Sequence, residues 1–127
     1  MKKILVIEDD LLMIRVLELI LKREGFDTEL ALNGKEAILN LVLNDYDLVL
    51  IDLKLPFDDL REMADQIRKS QEARPFPIMV IILGAFMETA ISDWFGLEAN
   101  EVITKPFVPQ ELARKVNGLL KVRRLQN

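Results

Sequence analysis

The run Leu48-Val49-Leu50-Ile51, ending in Asp52 with Pro56 close behind, constrains this chain more than any other stretch. A short unbroken apolar run reads as a strand covered on both faces, as strands inside parallel sheets are. Proline cannot continue a central strand, so the strand ends near Asp52. The carboxylate therefore stands at the carboxyl end of a central strand, the edge where open α/β sheets bind their ligands. Two more runs have the same character. Ile4-Leu5-Val6-Ile7 leads into Glu8-Asp9-Asp10, and Ile78-Met79-Val80-Ile81-Ile82-Leu83 is ended by Gly84.

Between these runs the hydrophobic period changes from two to that of a helix. A helix is expected over about 11–24, capped by Asp9 or Asp10, with Met13, Val16, Leu17, Ile20 and Leu21 inward and Gly25 as its stop. Leu11, Leu12, Ile14 and Leu19 fall partly outside that stripe, and a wide core contact is the expected reason. Residues 26–32 read as an edge strand. Further helices are expected over 35–44 (through Ala37, Ile38, Leu41 and Val42), over 60–69 after an acidic loop Phe57-Asp58-Asp59, over 88–95 with Trp94 and Phe95, and over 109–124. The second of these should bury Leu60, Met63, Ala64 and Ile67. A brief strand, Val102-Ile103-Thr104, precedes Lys105-Pro106-Phe107. Strand and helix thus alternate five times, which implies a doubly wound α/β fold with a five-stranded parallel sheet and helices on both faces.

Length and composition narrow the function. The 127 residues suit one domain, 1–127, and Leu125-Gln126-Asn127 reads as a tail from which a linker to an output domain could begin. With no cysteine and no histidine there is no thiol nucleophile, no Ser-His-Asp chemistry and no Cys or His metal site. A net charge of −4 argues against direct nucleic-acid binding by this domain. The amino terminus lacks the long apolar core of a signal peptide, and no stretch is long and apolar enough to span a membrane, so a cytoplasmic protein is expected.

Three expected strands end in charge: Glu8-Asp9, Asp52 and Lys105. In a parallel sheet those ends share one edge. Two carboxylates 4 Å apart repel by about 4 kcal/mol at an effective dielectric near 20, so the cluster calls for a cation. With oxygen ligands only, Mg²⁺ is the natural choice. An aspartate, a divalent cation and a lysine ammonium together can accept a phosphoryl group. Each residue alone reads more simply as a helix cap or turn. All of them at strand carboxyl ends favour the chemical reading.

These stretches carry a resemblance. Residues 4–10, Asp47-Leu48-Val49-Leu50-Ile51-Asp52-Leu53-Lys54-Leu55-Pro56, Gly96-Leu97-Glu98-Ala99 and Thr104-Lys105-Pro106-Phe107 together resemble the receiver domains of bacterial two-component response regulators, from Lys3 to about Val122. The resemblance implies a flavodoxin-like (βα)5 fold with strand order 2-1-3-4-5. It implies phosphorylation on Asp52, with Mg²⁺ held by Glu8, Asp9, Asp52 and the backbone carbonyl of Lys54. Lys105 matches the lysine that contacts the phosphoryl group, and the Lys105-Pro106 peptide is often cis in the family. The implied partner is a histidine kinase or histidine phosphotransfer protein. The chain would be a phosphoacceptor rather than an enzyme, beyond self-catalysed phosphoryl transfer and autodephosphorylation. A monomer or a weak homodimer through helix 4, strand 5 and helix 5 is expected.

The chain also departs from the pattern. Gly84 stands where the family has Thr or Ser, and Val102 where it has Tyr or Phe. The turn after the phosphoacceptor reads Asp59-Leu60, without the usual glycine, and the segment between Ala99 and Val102 is about two residues short against the family's pattern. Backbone groups of Gly84 and Ala85 are left to contact the phosphoryl oxygens, glycine allowing close approach. A weakened switch is the expected consequence. Two other readings stand beside this one: a pseudo-receiver that binds partners independently of phosphorylation, and a metal-dependent phosphohydrolase using Asp52. The second lacks an identifiable acid–base group.

Overall fold

The computed structural model describes residues 2–85, 93–94 and 97–126, with side chains described for 2–85 and 97–120. In chain order the elements are β1 (Lys3–Ile7), α1 (Leu11–Arg23), β2 (Asp27–Ala31), α2 (Gly34–Leu43), β3 (Leu48–Asp52), α3 (Phe57–Glu72), β4 (Met79–Gly84), β5 (Asp93–Trp94), β6 (Leu97–Glu98), β7 (Glu101–Thr104) and α4 (Pro109–Gln126). Five strands form one parallel sheet in the order β2-β1-β3-β4-β7. Counted within that sheet alone the order is 2-1-3-4-5, as the resemblance implies. β5 and β6 form a separate antiparallel ribbon.

The unbroken apolar runs are explained by two cores, one on each face of the sheet. Leu5 and Ile7 of β1, Val49 and Ile51 of β3, and Val80 and Ile82 of β4 point to the α2–α3 side. Their neighbours Ile4, Val6, Leu48, Leu50, Ile81 and Leu83 point to the α1–α4 side. Successive strand side chains alternate between faces, so a strand covered on both must be apolar at every position. Met63 and Ile67 of α3 and Leu17 and Leu21 of α1 are fully buried. Each contributes ~2 kcal/mol of transfer free energy.

The helices differ from expectation in phase and extent. In α1 the buried residues are Ile14, Leu17, Ile20 and Leu21, while Val16 is outward. Asp10 caps α1 by accepting the N–H groups of Leu12 and Met13, which fixes where the helix starts. Its stripe is then narrow, and Leu11, Leu12 and Leu19 are 71%, 75% and 66% exposed rather than part of a wide core contact. Val42 of α2 is also exposed.

Helix α3 begins at Phe57, so Asp58 and Asp59 lie in its first turn instead of in a loop. Negative charge is favoured there by the unpaired N–H groups. It buries Leu60, Met63, Ala64 and Ile67 as expected. Gly84 is the last residue of β4 rather than a stop beyond it. Of the helix expected over 88–95, most lies outside the described residues. At its end, however, Asp93–Trp94 is extended and pairs with Leu97–Glu98, satisfying backbone groups across a ribbon rather than within a helix.

At the amino ends of the strands the charges pair among themselves. The buried Tyr46 donates its hydroxyl to Glu29, which Lys3 also approaches at 3.3 Å, and Arg74 donates to the Tyr46 carbonyl. Asp47 accepts the Lys3 N–H at 2.9 Å. At the carboxyl ends the balance is different.

Candidate phosphoacceptor site

Three strand ends converge at the carboxyl edge. Beyond β1, the Glu8 N–H donates to the Ala31 carbonyl at 3.0 Å, holding Glu8 beside β2, and the Asp10 N–H donates to Glu8 Oε1 at 3.1 Å. β3 ends on Asp52, where the Leu53 N–H continues the ladder to the Leu83 carbonyl at 2.9 Å. The Asp52 side chain folds over the following turn, its Oδ1 accepting the Lys54 N–H at 3.1 Å. Beyond β7, the Lys105 N–H donates to the Gly84 carbonyl at 2.8 Å and the Lys105-Pro106 peptide is cis. The Lys105 side chain reaches inward, its Nζ 3.0 Å from Asp52 Oδ1 and 3.9 Å from Glu8 Oε2.

Glu8 and Asp52 are each 1% exposed. One ammonium thus serves two buried carboxyl groups. Burial pushes the Glu8 carboxyl up to about 7, and its contact with Asp52 pushes the same way, against the Asp10 N–H and Lys105. Burial also acts to raise Asp52, but the contacts with Glu8, Lys105 and the Lys54 N–H outweigh it, and its carboxyl stands below the ordinary aspartate value. Of the two acids Asp52 ionises first, and Glu8 keeps its proton to higher pH.

Asp9 is exposed, yet carboxylate oxygens of Glu8, Asp9 and Asp52 lie within 4.8 Å of one another. Glu8 Oε2 and Asp52 Oδ2 are buried and take no hydrogen bond from the rest of the protein, so only a proton held between the two acids or a cation can serve them. Orphaned buried oxygens cost free energy unless something pairs with them. A set of only hard oxygen donors with two orphans fits a divalent cation such as Mg²⁺.

The fold therefore brings together Glu8, Asp9, Asp52 and Lys105, all anticipated from the strand ends. Lys54 is placed by its N–H on Asp52, with its side chain exposed. Gly84 is buried beside Asp52's strand, in register with Thr104, and Ala85 follows it, exposed. Val102 packs against the α2–α3 core. One contact was not anticipated: Asp59 Oδ2 accepts the N–H of Gly34, at the start of α2, at 3.0 Å. Its only trace in the sequence is an Asn33-Gly34 turn and an acid in what proves to be the first turn of α3.

Next to the site, Leu12, Met13, Val16, Pro106, Phe107 and Pro109 line an open hollow of ≈ 240 Å³ that reaches Lys105.

The family model of the response regulator receiver domain matches residues 4–117. The chain belongs to the receiver domains of two-component response regulators. It is 35% identical to the response regulator ArlR of Staphylococcus saprophyticus over 95% of this chain and 53% of that protein, so it spans about half the length of this curated relative. Among solved structures it resembles the response regulator TrrA of Thermotoga maritima, determined in complex with Mg²⁺–BeF, at 34% identity and a TM-score of 0.77 over 94% of this chain and 99% of that one. The receiver domain of the Francisella response regulator 1452 is similar at 31% identity and a TM-score of 0.79, over 97% of this chain and 99% of that one. No helix among the described residues is long and apolar enough to cross a membrane.

Proposed function

We propose that this chain is a single cytoplasmic receiver domain that accepts a phosphoryl group on Asp52 from a histidine kinase or histidine phosphotransfer protein. The observation that carries the reading is the buried Asp52 carboxylate, held by Lys105 at 3.0 Å beside the orphaned oxygen of Glu8. Asp52 is ionised and oriented by the Lys54 N–H, so an oxygen lone pair is ready to attack phosphorus. The O–P bond forms as the P–N bond to the donor imidazole breaks, and the imidazole nitrogen leaves with the electron pair. Glu8, Asp9, Asp52 and the Lys54 carbonyl would hold Mg²⁺, which supplies charge to offset the phosphoryl oxygens. Lys105 pairs with the same oxygens, and the Ala85 N–H contacts them from the neighbouring strand end; the Gly84 N–H, expected to join it, faces β7 in the ladder that sets Gly84 against Thr104. The Mg²⁺–BeF complex of TrrA supports this arrangement.

The exposed Leu11 and Leu12 and the hollow beside Lys105 give a donor protein an apolar surface adjoining the reactive carboxylate. With Gly84 and Val102 in place of a hydroxyl and an aromatic ring, the phosphoryl group has fewer contacts with which to shift the β7–α4 face. The chain is a monomer or a weak homodimer that pairs through that face and the segment preceding β7.

Intact-mass spectrometry after incubation with a small phosphodonor and Mg²⁺ tests the proposal. One added phosphoryl group is expected, and Asp52→Asn should abolish it. No addition from either a small donor or a partner kinase would leave a phosphorylation-independent interaction module.

A further inference from the structure

The start of helix α2 is tied to its surroundings. Asn33 is its N-cap, accepting the Glu36 N–H, and Glu36 in turn accepts the Leu32 N–H at 2.8 Å. The Gly34 N–H goes elsewhere, to the Asp59 carboxylate in the first turn of α3. The fit is close: a Cβ on Gly34 would lie 2.8 Å from both Cβ and Cγ of Asp59. Glycine is therefore required at 34 by the neighbouring carboxylate, not by its own backbone.

This contact closes a ring around the acidic site. From Asp59 the chain runs back through Pro56 and the buried Leu55 to Lys54, whose N–H holds Asp52. From Gly34 it runs back to Ala31, whose carbonyl holds the Glu8 N–H. The Asp59–Gly34 bond joins the two branches. We propose that Asp59 is a positioning residue for the acidic site, tying the 53–56 turn to the start of α2 and thereby fixing Asp52 and the Lys54 carbonyl relative to Glu8. Asp59 itself touches neither the phosphoryl group nor the cation. The inference rests on the Mg²⁺ reading given above.

The test compares four variants by calorimetric Mg²⁺ titration and by amide hydrogen exchange without metal. Removing a residue that orients a metal ligand weakens affinity by about tenfold or more, and that loss is expected for Asp59→Ala. Gly34→Ala should lose as much, because it displaces the carboxylate without removing its charge. Asp59→Asn keeps an acceptor oxygen and should stay within about twofold of the parent protein. Asp58→Ala, which removes a nearby charge paired only with Arg61 in the described geometry, should leave affinity unchanged. In metal-free protein, the amides of Lys54 and Leu55 should exchange faster in Asp59→Ala and Gly34→Ala but not in Asp59→Asn.

Parent-like affinity and exchange in both Asp59→Ala and Gly34→Ala would overturn the inference. Equal loss in Asp59→Asn and Asp59→Ala would also overturn it, showing that charge and not the bond matters. If the parent protein binds no Mg²⁺, the metal reading fails while the exchange comparison still decides the brace. Should Asp59→Ala not fold, Gly34→Ala carries the same expectations.

Discussion

The Lys105 ammonium lies 3.0 Å from Asp52 Oδ1 while remaining 3.9 Å from Glu8 Oε2. Among the described residues a single cation therefore stands between two buried acids, and it stabilises the metal-free protein. Removing one partner of a buried ion pair typically costs about 3–5 kcal/mol. Lys105→Met should lower stability at pH 7.5 by ~3 kcal/mol in urea denaturation. The loss should be smaller at pH 5.5, where protonated Glu8 leaves only Asp52 uncompensated.

Glu8 gives the metal-free protein a pH dependence of definite sign. Its carboxyl is raised from 4.5 to about 7, so the native state holds a proton that the unfolded state releases. The associated stability is fully present below pH 4.5 and is lost as the pH rises through about 7. After allowance for coupling to Asp52, the loss should be ~1–2 kcal/mol. Asp52, shifted down, acts only in more acidic solution, its stabilisation being present above pH 3.8 and lost as the pH falls from there through its lowered value. Glu8→Gln should flatten the slope between pH 4.5 and 7 in chemical denaturation.

Mg²⁺ should raise the melting temperature, because it binds the folded state alone. Its affinity should climb as the pH passes through about 7, since the Glu8 proton has to leave before that oxygen can act as a ligand. Asp9→Asn should remove most of the response. A melting temperature indifferent to millimolar Mg²⁺ at pH 8 would count against the site.

Leu12 is 75% exposed at the rim of the hollow beside Lys105. Leu12→Glu should slow phosphoryl transfer from a partner kinase by about tenfold, as loss of an interface anchor does. Phosphorylation by a small donor should be unaffected. Equal slowing with both donors would place the effect in the site and not in docking.

Beryllofluoride with Mg²⁺ should change amide chemical shifts near Asp52 and much less at Val102 and Leu112. A ligand shifts an equilibrium only by its differential interaction with the two states, and Gly84 and Val102 lack the groups that would make it. Large changes across β7 and α4 would show that another route carries the signal.

The central strands were legible because each is apolar at every position, a pattern that a sheet covered on both faces requires, whereas their order followed only from the family resemblance. Glu8, Asp9, Asp52 and Lys105 were legible for the same reason: once the strands are placed, their carboxyl ends follow. Helix phase was less so. Leu11, Val16 and Leu19 are as apolar as Ile14 and Leu17, and only the docking of α1 on the sheet and on α4 decides which of them turn inward. Asp58 and Asp59 read as loop residues because acids suit a turn and a helix start equally well. The bond from Asp59 to Gly34 joins positions whose proximity depends on two helices packing side by side, which no local pattern records.

The pairing of β1 with β3 sets Ile4 against Leu48 and Ile7 against Ile51, so it encloses the whole of α1, β2 and α2 within one loop of chain. Glu8 and Asp52 remain strangers until that loop closes, and the closure of long loops belongs late in the assembly of a parallel sheet. A cation that needs both carboxylates has nothing to grip in the early stages. Mg²⁺ should therefore leave the refolding rate nearly unchanged and act as a brake on unfolding, lengthening the lifetime of the native state rather than hastening its arrival.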